Sequence, residues 1–132
     1  MSSWRRMALE LLPEQKFQNS RDYFSVYMIF FDLLPLVVHA HQLQDEDLLQ
    51  RIYKYAEWCW TQKDKSSDTY NAVCVAFYEH LVDEEITSEA IPKWIKPEIF
   101  EDIRDVFEPR MTSDEYKALL IRYNLTNQTH FK

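Results

Sequence analysis

The chain is 132 residues long and contains no glycine. Glycine supplies the positive φ angles of tight hairpin turns and the bare backbone that lets a loop close around a phosphate. Its absence argues against a sheet protein, whose hairpins would all have to turn without it. It also removes the Walker loop, the dinucleotide fingerprint, the nucleophile elbow and the EF-hand calcium loop, because each needs glycine at a fixed place. A chain of this length can bury most of one hydrophobic core without a metal or a disulfide, and nothing in it demands a second domain. With 46% apolar residues and no low-complexity stretch, it is expected to fold everywhere except at its two ends.

Helical periodicity runs along most of the sequence. Trp4, Met7, Ala8, Leu11 and Leu12 recur at spacings of three and four and predict a helix after Ser3 that Pro13 ends. A longer helix is predicted from an N-cap at Ser20 through DYFSVYMIFFDLLPLVVHAHQL, too short and too interrupted to span a bilayer. Pro35 lacks an amide hydrogen and clashes with the preceding turn, so a kink or break is expected near Phe31 to Leu34. QDEDLLQ places acids at the positive end of the next helix dipole; this helix runs to about Lys63 on a stripe of Leu48, Leu49, Ile52, Ala56 and Cys59. Ser67 or Asp68 then caps a helix reaching about Glu85, with Tyr70, Val73, Cys74, Phe77 and Leu81 on one face and Val75, Tyr78 and Val82 on a second. Its polar side is Asp68, Ala72, Glu79 and Asp83, and a helix apolar over most of its circumference belongs at the centre of a fold. ITSEAIPKWIKPEIF holds two prolines and a short helical turn, after which Pro97 opens a helix through Phe107. Thr112 and Glu115 have capping-box spacing ahead of EYKALLIRY, which predicts a closing helix. The sum is an all-α, single-domain bundle of five or six helices over residues 1–132, with its core at about 20–123.

Histidines, cysteines and carboxylates raise the question of a metal or catalytic site, and their spacing argues against one. His39 and His41 are two apart, which turns them about 200° from each other on a helix. No HExxH or Glu-x-x-His pair is present. His80, Asp83 and Glu84 share a helical face, a spacing whose common outcome is a solvated ion pair. Ser25, Asp32 and His39 recur every seven residues as a narrow polar stripe. An ionised carboxylate in an apolar helix must be paired or reach water, so the stripe reads as an outer face or as a place where Asp32 meets Arg5 or Arg6. No stretch joins a nucleophile to a base and oxyanion donors. The expectation is a protein that is not an enzyme and that holds no metal or cofactor, with Cys59 and Cys74 as reduced core residues. MSSWRRMALELLPEQ lacks the long apolar region and cleavage site of a secretory signal, which predicts a cytoplasmic protein.

Charge narrows the partner. Residues 79–108 carry ten acidic side chains against three basic ones, Lys93, Lys96 and Arg104; this segment alone accounts for the formal net charge of −7, and the rest balances at twelve each. Such a surface repels phosphate, which predicts no nucleic-acid binding and an attraction for a basic protein. Glu98, Glu101, Asp102, Asp105 and Glu108 fall at spacings of three and four, leaving Ile99, Phe100, Ile103, Val106 and Phe107 for the core. These carboxylates read either as an ordinary solvated face or as a recognition surface. Tyr55 and Trp58 project away from part of their own helix stripe and are the aromatic candidates for an exposed protein contact, alongside the alternative that they fill space between helix layers.

NAVCVAFYEHL, PKWIKPEIFEDI and MTSDEYKALLIRY, within roughly residues 20 to 123, resemble a group of small all-helical bacterial proteins of uncharacterised function. In its acidic, leaderless, helical character the chain also resembles immunity proteins, which neutralise secreted toxins by binding the toxin domain. The resemblance carries no catalytic residues. It implies a non-enzymatic protein-binding module whose partner is a basic toxin enzyme. The alternatives are a helical adaptor or subunit of a larger bacterial assembly and, more remotely, a metal-dependent helical-bundle enzyme.

Overall fold

A computed structural model describes residues 2–15 and 25–132. Among these residues the structure is entirely helical, with seven α-helices joined by 3₁₀ and π-helical turns and no strand. The expected count of five or six is therefore low by at least one.

Helix α1, Ser3–Leu11, buries Ala8, and the chain then places Leu12 wholly in the core before a 3₁₀ turn at Pro13–Gln15. Two links fix α1 onto α3 (Glu46–Trp60): the Tyr55 hydroxyl donates to the Trp4 carbonyl at 2.9 Å, and Arg51 donates to the Leu11 carbonyl at 3.1 Å. Helix α2, Val26–Gln42, buries Val26, Ile29, Phe30, Leu33, Val37 and Ala40, one face at the three-and-four spacing. The expected cap at Ser20 lies outside the described residues; the described helix opens after Ser25, whose backbone is extended. Of the kink or break expected near Phe31 to Leu34, the break does not occur: α2 continues through Pro35. Both Pro35 and Phe31, whose carbonyl loses its helical donor, are exposed. On that side water can take the missing donor's place, and the ring clash is absorbed without ending the helix.

The chain reverses from α2 into α3 through Gln44, held in the left-handed region at φ 55°. Asp45 caps α3 by accepting from the Leu48 amide at 3.2 Å. Helix α4, Ser67–Ala72, is capped by Ser66, one residue before the expected position. The single helix expected from Ser67 to about Glu85 is instead wound three ways. After α4 comes a π-helical turn at Val73–Phe77, then a 3₁₀ turn at Tyr78–Asp83, with Phe77 at φ −126° and ψ −71° marking the change. The wide turn and the tight one shift the faces relative to an ideal helix. Ala72, expected on the polar side, is buried, and Val75, expected in an apolar face, is 45% exposed. Phe77, Tyr78 and Leu81 remain in the core, so the central placement holds.

Glu84 is extended and lets α5, Glu85–Trp94, begin as a full helix rather than the short turn expected. Thr87 secures this corner by donating to the carbonyls of Leu81 and Glu84. Helix α6, Pro97–Ile103, starts at Pro97 as expected but passes at Arg104–Val106 into a 3₁₀ turn instead of running to Phe107 as α-helix. Another 3₁₀ turn at Glu108–Arg110 leads to α7, Ser113–Asn127. The Thr112–Glu115 capping box forms, with bonds of 3.1 and 2.8 Å. Gln128 ends α7 in the left-handed region at φ 56°. Asn124 then holds the following residues, accepting from the Phe131 amide and donating to its carbonyl, both at 2.9 Å.

Aromatic rings fill the core in two places. Phe30 meets Tyr55 at 5.6 Å and Phe77 at 5.5 Å between centroids, under α2, α3 and the central segment. Phe100 stacks on Tyr123 at 3.8 Å, with Phe107 and Phe131 beside it, under α6 and α7. Cys59 and Cys74 are both free and buried.

Candidate functional site

The acidic helix has the division of faces its spacing predicted. Ile99, Phe100, Ile103 and Phe107 are buried, while Val106 is only partly so. Glu98, Glu101, Asp102, Asp105 and Glu108 all lie on the exposed side. They do not form a uniform set. Asp102 accepts hydrogen bonds from the Trp60 indole at 2.9 Å and from the Tyr70 hydroxyl, and Lys63 stands 3.8 Å away. Partial burial pushes its carboxyl up, but the bonds from Tyr70 and Trp60 and the Lys63 charge outweigh this and hold it below the usual carboxylate range. Asp102 therefore ties α6 to α3 and α4. The other four carboxylates form no ion pair or hydrogen bond through their side chains among the described residues.

The aromatic candidates separate. Tyr55 is fully buried, so of its two readings the filling of space between helix layers is the one that holds: α1 covers that side of α3, and the Trp4 carbonyl takes the hydroxyl. Trp58 is partly buried and lines a groove of about 560 Å³ between α3 and the α5–α6 corner. Lys54 and Glu57 of α3 share that groove with Lys93, Trp94 and Lys96. Behind it, Tyr53 stacks on Trp94 at 5.0 Å. Lys93 pairs with Glu46 at 3.1 Å and lies 5.3 Å over the Trp94 ring, and Lys96 pairs with Glu57 at 2.7 Å. Lys54 is exposed and unpaired among the described residues. Sequence reasoning passed over this groove, although its signal was visible as KWIK, two lysines flanking a tryptophan inside an otherwise acidic stretch.

The histidine of the central segment also has defined company. His80 Nδ1 lies 2.7 Å from Asp83 Oδ2, and Arg110 donates to both Asp83 oxygens at 2.9 and 2.8 Å while approaching Glu79 at 3.6 Å. Desolvation raises the Asp83 carboxyl, but Arg110 and then His80 prevail and the net displacement is downward. This cluster rims an apolar cavity of about 280 Å³ with Leu34, Val37, Leu81 and Thr87 in its walls. A histidine oriented by a carboxylate is half of a catalytic arrangement. Among the described residues these walls offer one hydroxyl, that of Thr87, and it is spent on backbone carbonyls, so none of them supplies a free nucleophile. Cys74 lies elsewhere, with burial pushing its thiol up to about 11.

The remaining sequence candidates are scattered. Asp32 and His39 are exposed, and His41 Nε2 sits 2.8 Å from the Tyr53 hydroxyl, where burial lowers its basicity. Among the described residues no three His, Cys, Asp or Glu side chains converge to hold a metal ion, and no helix is long and apolar enough to cross a membrane.

Neither a curated protein nor a solved structure matches the chain. One family does: residues 6–109, from α1 through the end of the acidic face, match DUF7674, a domain of unknown function, and the chain belongs to that family.

Proposed function

We propose that the chain is a non-enzymatic protein-binding module that docks its acidic helix on a basic partner, in the manner of an immunity protein blocking a toxin enzyme whose cleft attracts phosphate. The observation that carries this reading is the set of four exposed carboxylates, Glu98, Glu101, Asp105 and Glu108, which make no ion pair among the described residues, on elements whose back is pinned in the core by Phe100 and Phe107. Glu98 and Glu101, three apart on α6, repel and weaken the helix they stand on, and Asp105 and Glu108 add the same sign from the turns that follow. A partner of opposite sign relieves that repulsion and is steered from a distance. The Asp102 clasp on Trp60 and Tyr70 supports the same reading, because it fixes the orientation of α6 before any partner arrives.

The test is a kinetic binding titration, at low and high salt, against the product of the adjacent gene. Glu98→Lys with Glu101→Lys is expected to slow association by about tenfold at low salt and to flatten its salt dependence, with the circular dichroism spectrum unchanged. Affinity independent of salt and indifferent to the two reversals would remove the acidic helix from the mechanism.

A further inference from the structure

Segment 79–108 contains three basic residues, and two of them, Lys93 and Lys96, stand on the rim of the groove against α3. Lys54 joins them from the α3 side, and Glu57, the one carboxylate in the lining, is already taken by Lys96. Lys93 is matched by Glu46 just outside the lining, so with both pairs made Lys54 leaves the groove one positive charge in excess, on a molecule of net charge −7. Its floor is aromatic. Trp94 is braced by Tyr53 behind it, so it is presented without the ordering cost of a mobile side chain. The α3 wall extends from Gln50 to Thr61, which at 1.5 Å per residue is about 16 Å, or three helical turns.

We propose that this groove is a docking site for a short acidic peptide segment of a partner protein, one that carries apolar or aromatic anchors between its carboxylates. Anchors at successive turns of a bound helix, or at alternate positions of an extended segment, match a groove of this length. Both lysine ion pairs on its rim are surface pairs, with the Lys93 and Lys96 side chains 65% and 58% exposed. Such pairs contribute little, and a ligand carboxylate can replace Glu46 or Glu57 at small cost. A nucleic-acid strand carries the same sign but suits the site less well. Lys96 leads directly into α6, so a continuous phosphate backbone leaving the groove at that end meets Glu98 and the rest of the acidic face. A short peptide ends before it. The site is separate from the acidic helix in residues and opposite to it in sign.

The experiment is a peptide array probed with the intact chain. Acidic peptides of about twelve residues, with Leu, Phe and Trp at all spacings, are compared with counterparts in which Lys replaces Asp and Glu. Hits are titrated by tryptophan fluorescence, and a single-stranded oligonucleotide serves as a separate probe. Bound sequences are expected to come from the acidic set. Their affinity should fall about tenfold or more in Lys54→Glu with Lys93→Glu, and stay unchanged in Lys117→Glu, a reversal of an exposed charge on α7 that lies outside both the groove and the acidic face. Circular dichroism checks that each variant folds. Absence of binding, equal capture of acidic and basic peptides, affinity indifferent to the lysine reversals, or an oligonucleotide that binds more tightly than every acidic peptide would each overturn the proposal.

Discussion

Phe77 has no exposed surface and meets Phe30, Tyr53 and Tyr78 at 5.5, 6.0 and 5.6 Å between ring centroids. Phe77→Ala would open a cavity among three rings that cannot collapse into it, and should cost about 3–5 kcal/mol in a denaturant titration. Val75→Ala, two residues away but exposed, should stay within about 0.5 kcal/mol. Asp83 sets a pH dependence. Its carboxyl lies below the ordinary 3.8 in the folded chain, so its contribution to stability is present above that value and is lost as the pH falls through the lowered one. Without Arg110 the desolvation that raises this carboxyl loses its strongest counterweight. Arg110→Ala should therefore move the acid-unfolding midpoint, followed by circular dichroism, to higher pH. His80→Ala should be milder, because it leaves both Arg110 bonds in place.

At the scale of elements, the acidic helix should prove less stable than its shape permits. Glu101 stands three residues after Glu98 and four before Asp105 and makes no ion pair among the described residues, so Glu101→Gln should stabilise the chain by about 0.2–0.5 kcal/mol while weakening its contact with a basic partner. An increase in thermal midpoint would separate a face kept for binding from one kept for stability. Thr112→Ala removes one bond of the capping box at α7 and should cost about 1 kcal/mol. Local chemistry of this kind was legible: the box at Thr112 and Glu115, proline at the start of α6, and acids opening α3 all needed only neighbours in sequence. The winding of 67–83 was not legible. A π-helical turn preserves burial by changing rotation per residue, and periodicity read at a fixed 100° cannot show where that change occurs. The length of α5 was missed for a related reason. A stretch holding two prolines was expected to give only a short helical turn, yet Pro92 is buried inside a full helix whose neighbours hold it, and packing decides such cases over propensity.

For the whole molecule, the unreadable part was which helix covers which face. The sequence left Tyr55 open between an exposed contact and a filler between helix layers, and only the docking of α1 shows that α3 is buried on more than one side. Long-range placement also assembled the lysine groove from α3 and the α5–α6 corner some forty residues later, and joined Arg110 to Asp83. The net charge, by contrast, was legible to the residue, and the acidic and aromatic–basic surfaces divide along it. The reversals at Gln44 and Gln128 have a further consequence. Both hold left-handed backbone with a side chain that resists it, at φ 55° and 56°. Relief of that strain outweighs the extra freedom glycine gives the unfolded chain, so Gln44→Gly and Gln128→Gly should each stabilise by about 0.5–1 kcal/mol. A sequence without glycine thus sits below the thermal ceiling of its own fold, and two substitutions at residues that belong to neither proposed binding face are a direct route for engineering toward it.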